Sequence, residues 1–108
     1  MLKKKYRINT KKEYDYIYKN GKRIQSRYII VFVTPNNLEY SRFGFVTSKK
    51  VGNAVIRNRA KRQSRAIIER NWAQFTVGND YVIIARYNIK DAVFALLEKD
   101  FLIALKKA

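Results

Sequence analysis

The sequence predicts an α+β fold, an α/β sandwich in which helices lie on one central sheet. Three short, apolar, β-branched runs read as strands, and three longer segments repeat their apolar residues at helical spacing. Taken along the 108 residues, the order is helix, strands, helix, strand, helix, which suits one domain of that class.

The elements follow in order. Residues 1–9 read as a basic, flexible arm. Thr10 and Glu13 form a capping box that starts a first helix, and Gly21, a favourable C′ residue, ends it. Tyr14, Ile17 and Tyr18 share the apolar face of that helix. Tyr28 to Thr34 is a buried strand, Pro35-Asn36-Asn37 a turn, and Arg42 to Thr47 the returning strand. Gly44 within it marks a bulge or a close approach. Whether the residues between Gly21 and Tyr28 add a short strand is left open. Gly52 to Asn71 is a second helix capped by Asn53, and Asp80 to Arg86 is another strand. The last helix runs from about Asp91 to Lys106, starting near Asn88 and Asp91. Val93, Leu96, Leu97, Phe101 and Leu105 form its apolar stripe. No repeat or low-complexity stretch divides the chain, so residues 1–108 are read as a single domain.

Charge narrows the function. Lys plus Arg number 24 against 8 Asp plus Glu, a net +16. Self-repulsion of that size destabilises a compact monomer unless a polyanion answers it. Residues 1–70 carry 19 of the basic and 4 of the acidic residues, which places the partner surface mainly in the first two thirds. With no Cys there is no disulfide or Cys-ligated zinc, and with no His the usual neutral-pH proton shuttle is missing. The eight carboxylates are scattered, with no general acid/base pair or metal cluster visible, so no catalytic or metal-ligating residue is assigned. No apolar run approaches the roughly 18 residues of a membrane span, and the basic start lacks a following apolar signal region. The expectation is a cytoplasmic protein with no membrane partner.

The densest charge lies from Lys49 to Arg65: Lys49, Lys50, Arg57, Arg59, Lys61, Arg62 and Arg65, with no acid among them. On a helical wheel, Ile56, Ala60, Gln63 and Ile67 form a docking face. Arg57, Asn58, Arg59, Lys61, Arg62 and Arg65 occupy the arc on the other side. Solvated helices ordinarily mix charge signs, because opposite charges at i,i+4 stabilise them. Like charges at 57, 61 and 65 instead call for an anionic partner. Arginine forks suit phosphate oxygens and stack on bases. Asn58 suits a phosphate, a 2′-OH or a base edge, or is simply solvent-facing. Ser48, Lys49, Lys50 and Asn53 stand at the strand-to-helix junction, where exposed amides favour anions, although the glycine spacing is not that of a Walker A loop.

The run Thr47 to Arg65, TSKKVGNAVIRNRAKRQSR, closely resembles the signature of the bacterial ribonuclease P protein family. Its core here is Arg57-Asn58-Arg59, Lys61-Arg62 and Arg65, preceded by Ser48, Lys49, Lys50, Gly52, Ala54 and Val55. The likeness extends over nearly the whole chain. Ala66 stands where the family often has Glu, and Tyr14 and Tyr18 stand where Phe is usual.

The resemblance implies an αβββαβα order with a mixed sheet, a left-handed βαβ crossover and a ribosomal-protein-like domain, against the usual right-handed rule. It also implies a role: the protein component of ribonuclease P, which removes the 5′ leader of precursor tRNA. The implied partners are the catalytic RNA, one protein to each RNA subunit, and precursor tRNA. Mg²⁺ would be held mainly by RNA and not by this chain. The implied leader-binding cleft maps onto Tyr14, Tyr18 and Phe32, with Arg86 as a further candidate. Packing in the core is the alternative for Tyr14, Tyr18 and Phe32, and a charge merely leaving the sheet is the alternative for Arg86. Competing functions are a ribosomal or general RNA-binding protein, a free-standing nuclease and a DNA-binding protein.

Overall fold

A computed structural model describes residues 3–75 and 77–108. Its regular elements are α1 (Lys11–Asn20), β1 (Lys22–Gln25), β2 (Ile29–Pro35), β3 (Arg42–Val46), α2 (Ala54–Arg70), β4 (Asn79–Ala85) and α3 (Phe94–Lys106). The sheet order is β1-β2-β4-β3. β1 and β2 pair antiparallel, as do β2 and β4, whereas β3 runs parallel to β4 and is joined to it through α2. The order is αβββαβα on a mixed four-stranded sheet, as expected. The stretch left open after Gly21 is β1, a short edge strand that buries only Ile24.

Central β4 is apolar from Tyr81 to Ala85 because that stretch is covered on both faces. Tyr81 and Ile83 point into the larger core with Ile29, Val31 and Phe43, against Ala60, Ile67 and Ile68 of α2 and Leu97, Phe101 and Ala104 of α3. Val82 points the other way, onto Ile17 of α1 and Ile8, with Tyr14, Phe32, Val46 and Ile84 half-buried around them. The second face is only partly roofed, because α1 has just ten residues.

Local chemistry accounts for the helix ends. Thr10 Oγ1 accepts from the Glu13 amide at 3.2 Å while Glu13 Oε1 accepts from the Thr10 amide at 3.1 Å, the reciprocal capping box. Gly21 does end α1, but at φ −78°, outside the left-handed region of a C′ glycine. Its side-chain-free Cα is needed for packing instead: an added Cβ would lie 2.6 Å from the Ile17 carbonyl oxygen and 3.2 Å from that of Val33. α2 starts at Ala54 with Asn53 Oδ1 accepting from the Ile56 amide at 3.0 Å. Its buried residues are Ala60, Ser64, Ile67 and Ile68, so the docking face is turned toward Ser64 and Ile68 from the expected one. Ser64 enters the core by donating its hydroxyl to the Ala60 carbonyl at 2.8 Å.

Three expectations shift. α3 begins at Phe94, after a 3-10 turn over Tyr87–Asp91. Leu97 and Phe101 of the predicted stripe are buried, but Val93 and Leu96 are exposed. One reason is Asp100, a buried carboxylate that takes part of the inner face. It accepts from Ser26 Oγ at 2.7 Å, the Arg27 amide at 3.1 Å and the Tyr28 amide at 2.8 Å. The basic arm is seated from Tyr6 to Ile8. Arg7 bridges to Phe43, and the Ile8 amide donates to the Phe43 carbonyl at 3.0 Å. The Tyr6 ring meets Trp72 and Tyr40 edge-on. Met1 and Leu2 of that arm lie outside the described residues. Among the described residues, no helix is long and apolar enough to cross a membrane.

Candidate nucleic-acid interface

The sheet register builds the floor of a cleft beside α1. Arg23, Phe32, Val82 and Gly44 form one row across the four strands, and Gln25, Ile30, Ile84 and Val46 the next. α1 supplies the wall. Tyr14 and Tyr18 lie one turn apart with ring centroids separated by 6.3 Å, and Tyr18 meets Phe32 edge-to-face at 5.2 Å. Tyr14 lies over Gly44, where an added Cβ would come within 2.8 Å of its ring carbons. Gly44 is therefore a close approach and not a bulge. Tyr18 is 38% exposed and Phe32 is half-buried, so the aromatic group is open to solvent. Burial raises the Tyr14 and Tyr18 phenol pKa values, with a smaller push from neighbouring anionic charge, so both stay neutral well into the alkaline range.

A tie that sequence reasoning missed sets the position of α1. Arg42 on β3 donates Nε to Asp80 Oδ1 at 2.9 Å and Nη2 to Asp80 Oδ2 at 2.7 Å, and its Nη1 pairs with Glu13 Oε2 on α1. Burial disfavours the charged Glu13 carboxylate, but the bonds from Arg42 and Thr10 outweigh it and hold its pKa below the ordinary value. The two carboxylates likewise raise the Arg42 pKa, chiefly through the Asp80 hydrogen bonds. No local pattern announces this group, because the β3–β4 register brings Arg42 beside Asp80 and only the packing of α1 brings Glu13 to them.

The basic helix distributes its charges around its axis. Arg57, Lys61 and Arg65 form a half-buried stripe. Lys61 and Arg65 share a depression with Arg7, Tyr14, Gly44 and Phe45, which joins the stripe to the aromatic wall. The Arg65 guanidinium lies 5.5 Å from the centroid of the Phe45 ring. Arg57 Nε, Arg65 Nε and Thr47 Oγ1 are buried without a hydrogen-bond partner. Asn58 and Arg62 point outward, and exposed Arg59 lies on the far flank beside Gln63, Ile89 and Lys90. Lys49 and Lys50 are exposed at the helix entry, where the Ser48 hydroxyl accepts from the Lys50 amide at 3.3 Å.

The fold thus brings Tyr14, Tyr18, Phe32, Lys61 and Arg65 onto one continuous surface. Two candidates have structural tasks. Asn53 spends its side-chain oxygen on the helix cap. Arg86 Nη1 donates to the Ser26 carbonyl at 2.9 Å and the Arg27 carbonyl at 3.0 Å, holding the β1–β2 turn. Arg7 joins the site unforeseen, because its arm gave no periodic signal. Stacking rings beside guanidinium forks suit an unpaired, phosphate-bearing strand. Among the described residues, no group of three or more His, Cys, Asp or Glu gathers to hold a metal ion. Asp80, Asp100 and Glu13 are committed to hydrogen bonds within the protein.

Comparison with known proteins gives a consistent result. A family model described as Ribonuclease P matches residues 2–108. The ribonuclease P protein component of Syntrophomonas wolfei is 45% identical over 108 residues, covering 100% of this chain and 91% of that protein. The solved Staphylococcus aureus RNase P protein superposes with a TM-score of 0.88 at 31% identity, covering 94% of each chain. The RNase P protein from Thermotoga maritima gives 0.88 at 32% identity, covering 94% of this chain and 96% of that one.

Proposed function

This chain belongs to the ribonuclease P protein family, and from that premise we propose that it binds the catalytic RNA through α2 and the 5′ leader of precursor tRNA through the aromatic cleft. As the protein subunit of a ribonucleoprotein endoribonuclease, it acts in tRNA processing. Its contribution is binding and orientation. The rings of Tyr14, Tyr18 and Phe32 stack on unpaired leader bases with little demand on sequence, while basic groups answer the phosphates. The chemistry of leader removal rests on Mg²⁺, which polarises the phosphate and activates water when bound. We place most of its ligands on RNA, in keeping with Asp80, Asp100 and Glu13 being already bonded within the protein. The protein works in the cytoplasm, one copy to each RNA subunit.

The observation that carries this reading is the junction of the aromatic wall with the basic stripe at Tyr14, Lys61 and Arg65. Reconstitution tests it. The protein added to a ribonuclease P RNA at low Mg²⁺ should stimulate cleavage of precursor tRNA and by itself should cut nothing. Cleavage by the protein alone would overturn the assignment of the chemistry to RNA.

A further inference from the structure

Arg57 and Arg59 are two residues apart in the sequence but about 160° apart around the helix at roughly 100° per residue. The structure gives the two flanks different surroundings. On one, Arg57, Lys61 and Arg65 stand half-buried in a stripe, and Lys61 and Arg65 line a depression with Tyr14 and Phe45. On the other, Arg59 lines a depression with Ile56, Ala60, Ile89, Lys90 and Asp91, where two cations outnumber one carboxylate. Asn58 and Arg62 face outward between them, exposed to solvent.

From this we infer that α2 serves two RNAs at once: Arg57, Lys61 and Arg65 take leader phosphates, and Arg59 and Arg62, with Lys90, take the catalytic RNA. The inference deepens the proposed function and rests on the cleft being the leader site. Three observations carry it. The first flank is continuous with the stacking rings, so a strand whose bases lie on Tyr14 and Tyr18 carries its phosphates past Lys61 and Arg65. The second is that Arg57 Nε, Arg65 Nε and Thr47 Oγ1 remain unpartnered along that seam. A buried donor without an acceptor is costly, and a phosphate oxygen supplies one. A narrow, half-buried seam suits a single flexible strand. The third is that the exposed arc of Arg59 and Arg62 suits the broad surface of a structured RNA, with Lys90 extending it beyond the helix.

The test uses the reconstituted complex and two paired variants, Lys61→Gln with Arg65→Gln and Arg59→Gln with Arg62→Gln. Two quantities are measured: the Kd for the catalytic RNA, and the affinity of the RNA-saturated complex for mature tRNA and for precursors with leaders of increasing length. The first pair should cut the leader-dependent gain in affinity by about tenfold while leaving the Kd for the catalytic RNA within about threefold. The second pair should weaken the catalytic RNA by about tenfold or more and, once saturated, keep the leader-dependent gain. Because Arg65 packs on Phe45, circular dichroism accompanies each variant, and Lys61→Gln alone and its rescue by Lys61→Arg give a second route to the same answer. If both pairs weaken both measurements alike, the division of labour is wrong, although the leader site stands if Tyr18→Ala still acts only on leader-bearing RNA. If wild-type complex shows no leader-dependent gain, the cleft assignment fails instead.

Discussion

The two faces of the sheet use the same four strands and end up very differently covered. Against α2 and α3, Phe43, Tyr81, Ile67, Leu97 and Phe101 are each no more than 3% exposed, and Phe43 stacks on Tyr81 with ring centroids 5.3 Å apart. Against α1, Ile17 and Val82 are enclosed to that degree, Ile8 is 6% exposed, and Phe32, Val46, Ile84 and the two tyrosines stay half-open. Both faces are apolar enough to be cores. The difference is coverage: two helices of 17 and 13 residues roof one face, and one of ten residues, with an arm, roofs the other. An apolar surface left partly bare next to positive charge suits a partly apolar anion, such as the strand of RNA proposed for it.

Substitutions on either side should separate stability from binding. The largest effect on stability is expected at Leu97→Ala, which empties a fully enclosed site and should cost about 2–5 kcal/mol in denaturant unfolding. A loss under 1 kcal/mol would show that the closed face is less tightly built than its burial indicates. On the open face, Tyr18→Ala should leave unfolding nearly unchanged and weaken leader-bearing precursor relative to mature tRNA by about 1–3 kcal/mol, read as a ratio of binding constants. Equal losses for both RNAs would remove Tyr18 from the leader site.

The smallest effect concerns the tie that holds α1. Because the Glu13 pKa is depressed in the folded chain, its contribution is present above the unfolded pKa and is lost as pH falls through the folded one. Thermal melting should therefore lose more stability on acidification for the native chain than for Glu13→Gln. The gap should be about 1 kcal/mol or less, since Glu13 is partly solvated. Parallel acid profiles for the two proteins would place the acid sensitivity elsewhere.

The contrast between the faces was partly legible in the sequence. Strand and helix identity followed from periodicity and from caps such as Thr10 with Glu13, because those signals lie within a few residues of each other. The family signature and the three aromatic positions were legible too. What escaped was long-range. Arg42 and Asp80 are 38 residues apart, and Asp100 is 74 from Ser26, so neither pair leaves a local pattern. The wheel of α2 assigned an inner and an outer arc correctly in outline. It missed that Ser64 would go inward, because a serine bonded to its own helix carries no hydrophobic mark. The anchors of the arm, Tyr6 and Ile8, were obscured by the lysines before them.

That seated arm has a consequence for the chain before it meets RNA. β3 is the last strand of the sheet, and an uncovered last strand is a template on which another molecule can extend the ladder. Arg7 and Ile8 occupy part of that edge at Phe43. The short peptide therefore acts as a guard against self-association, beside a long-range repulsion of +16 that salt would screen.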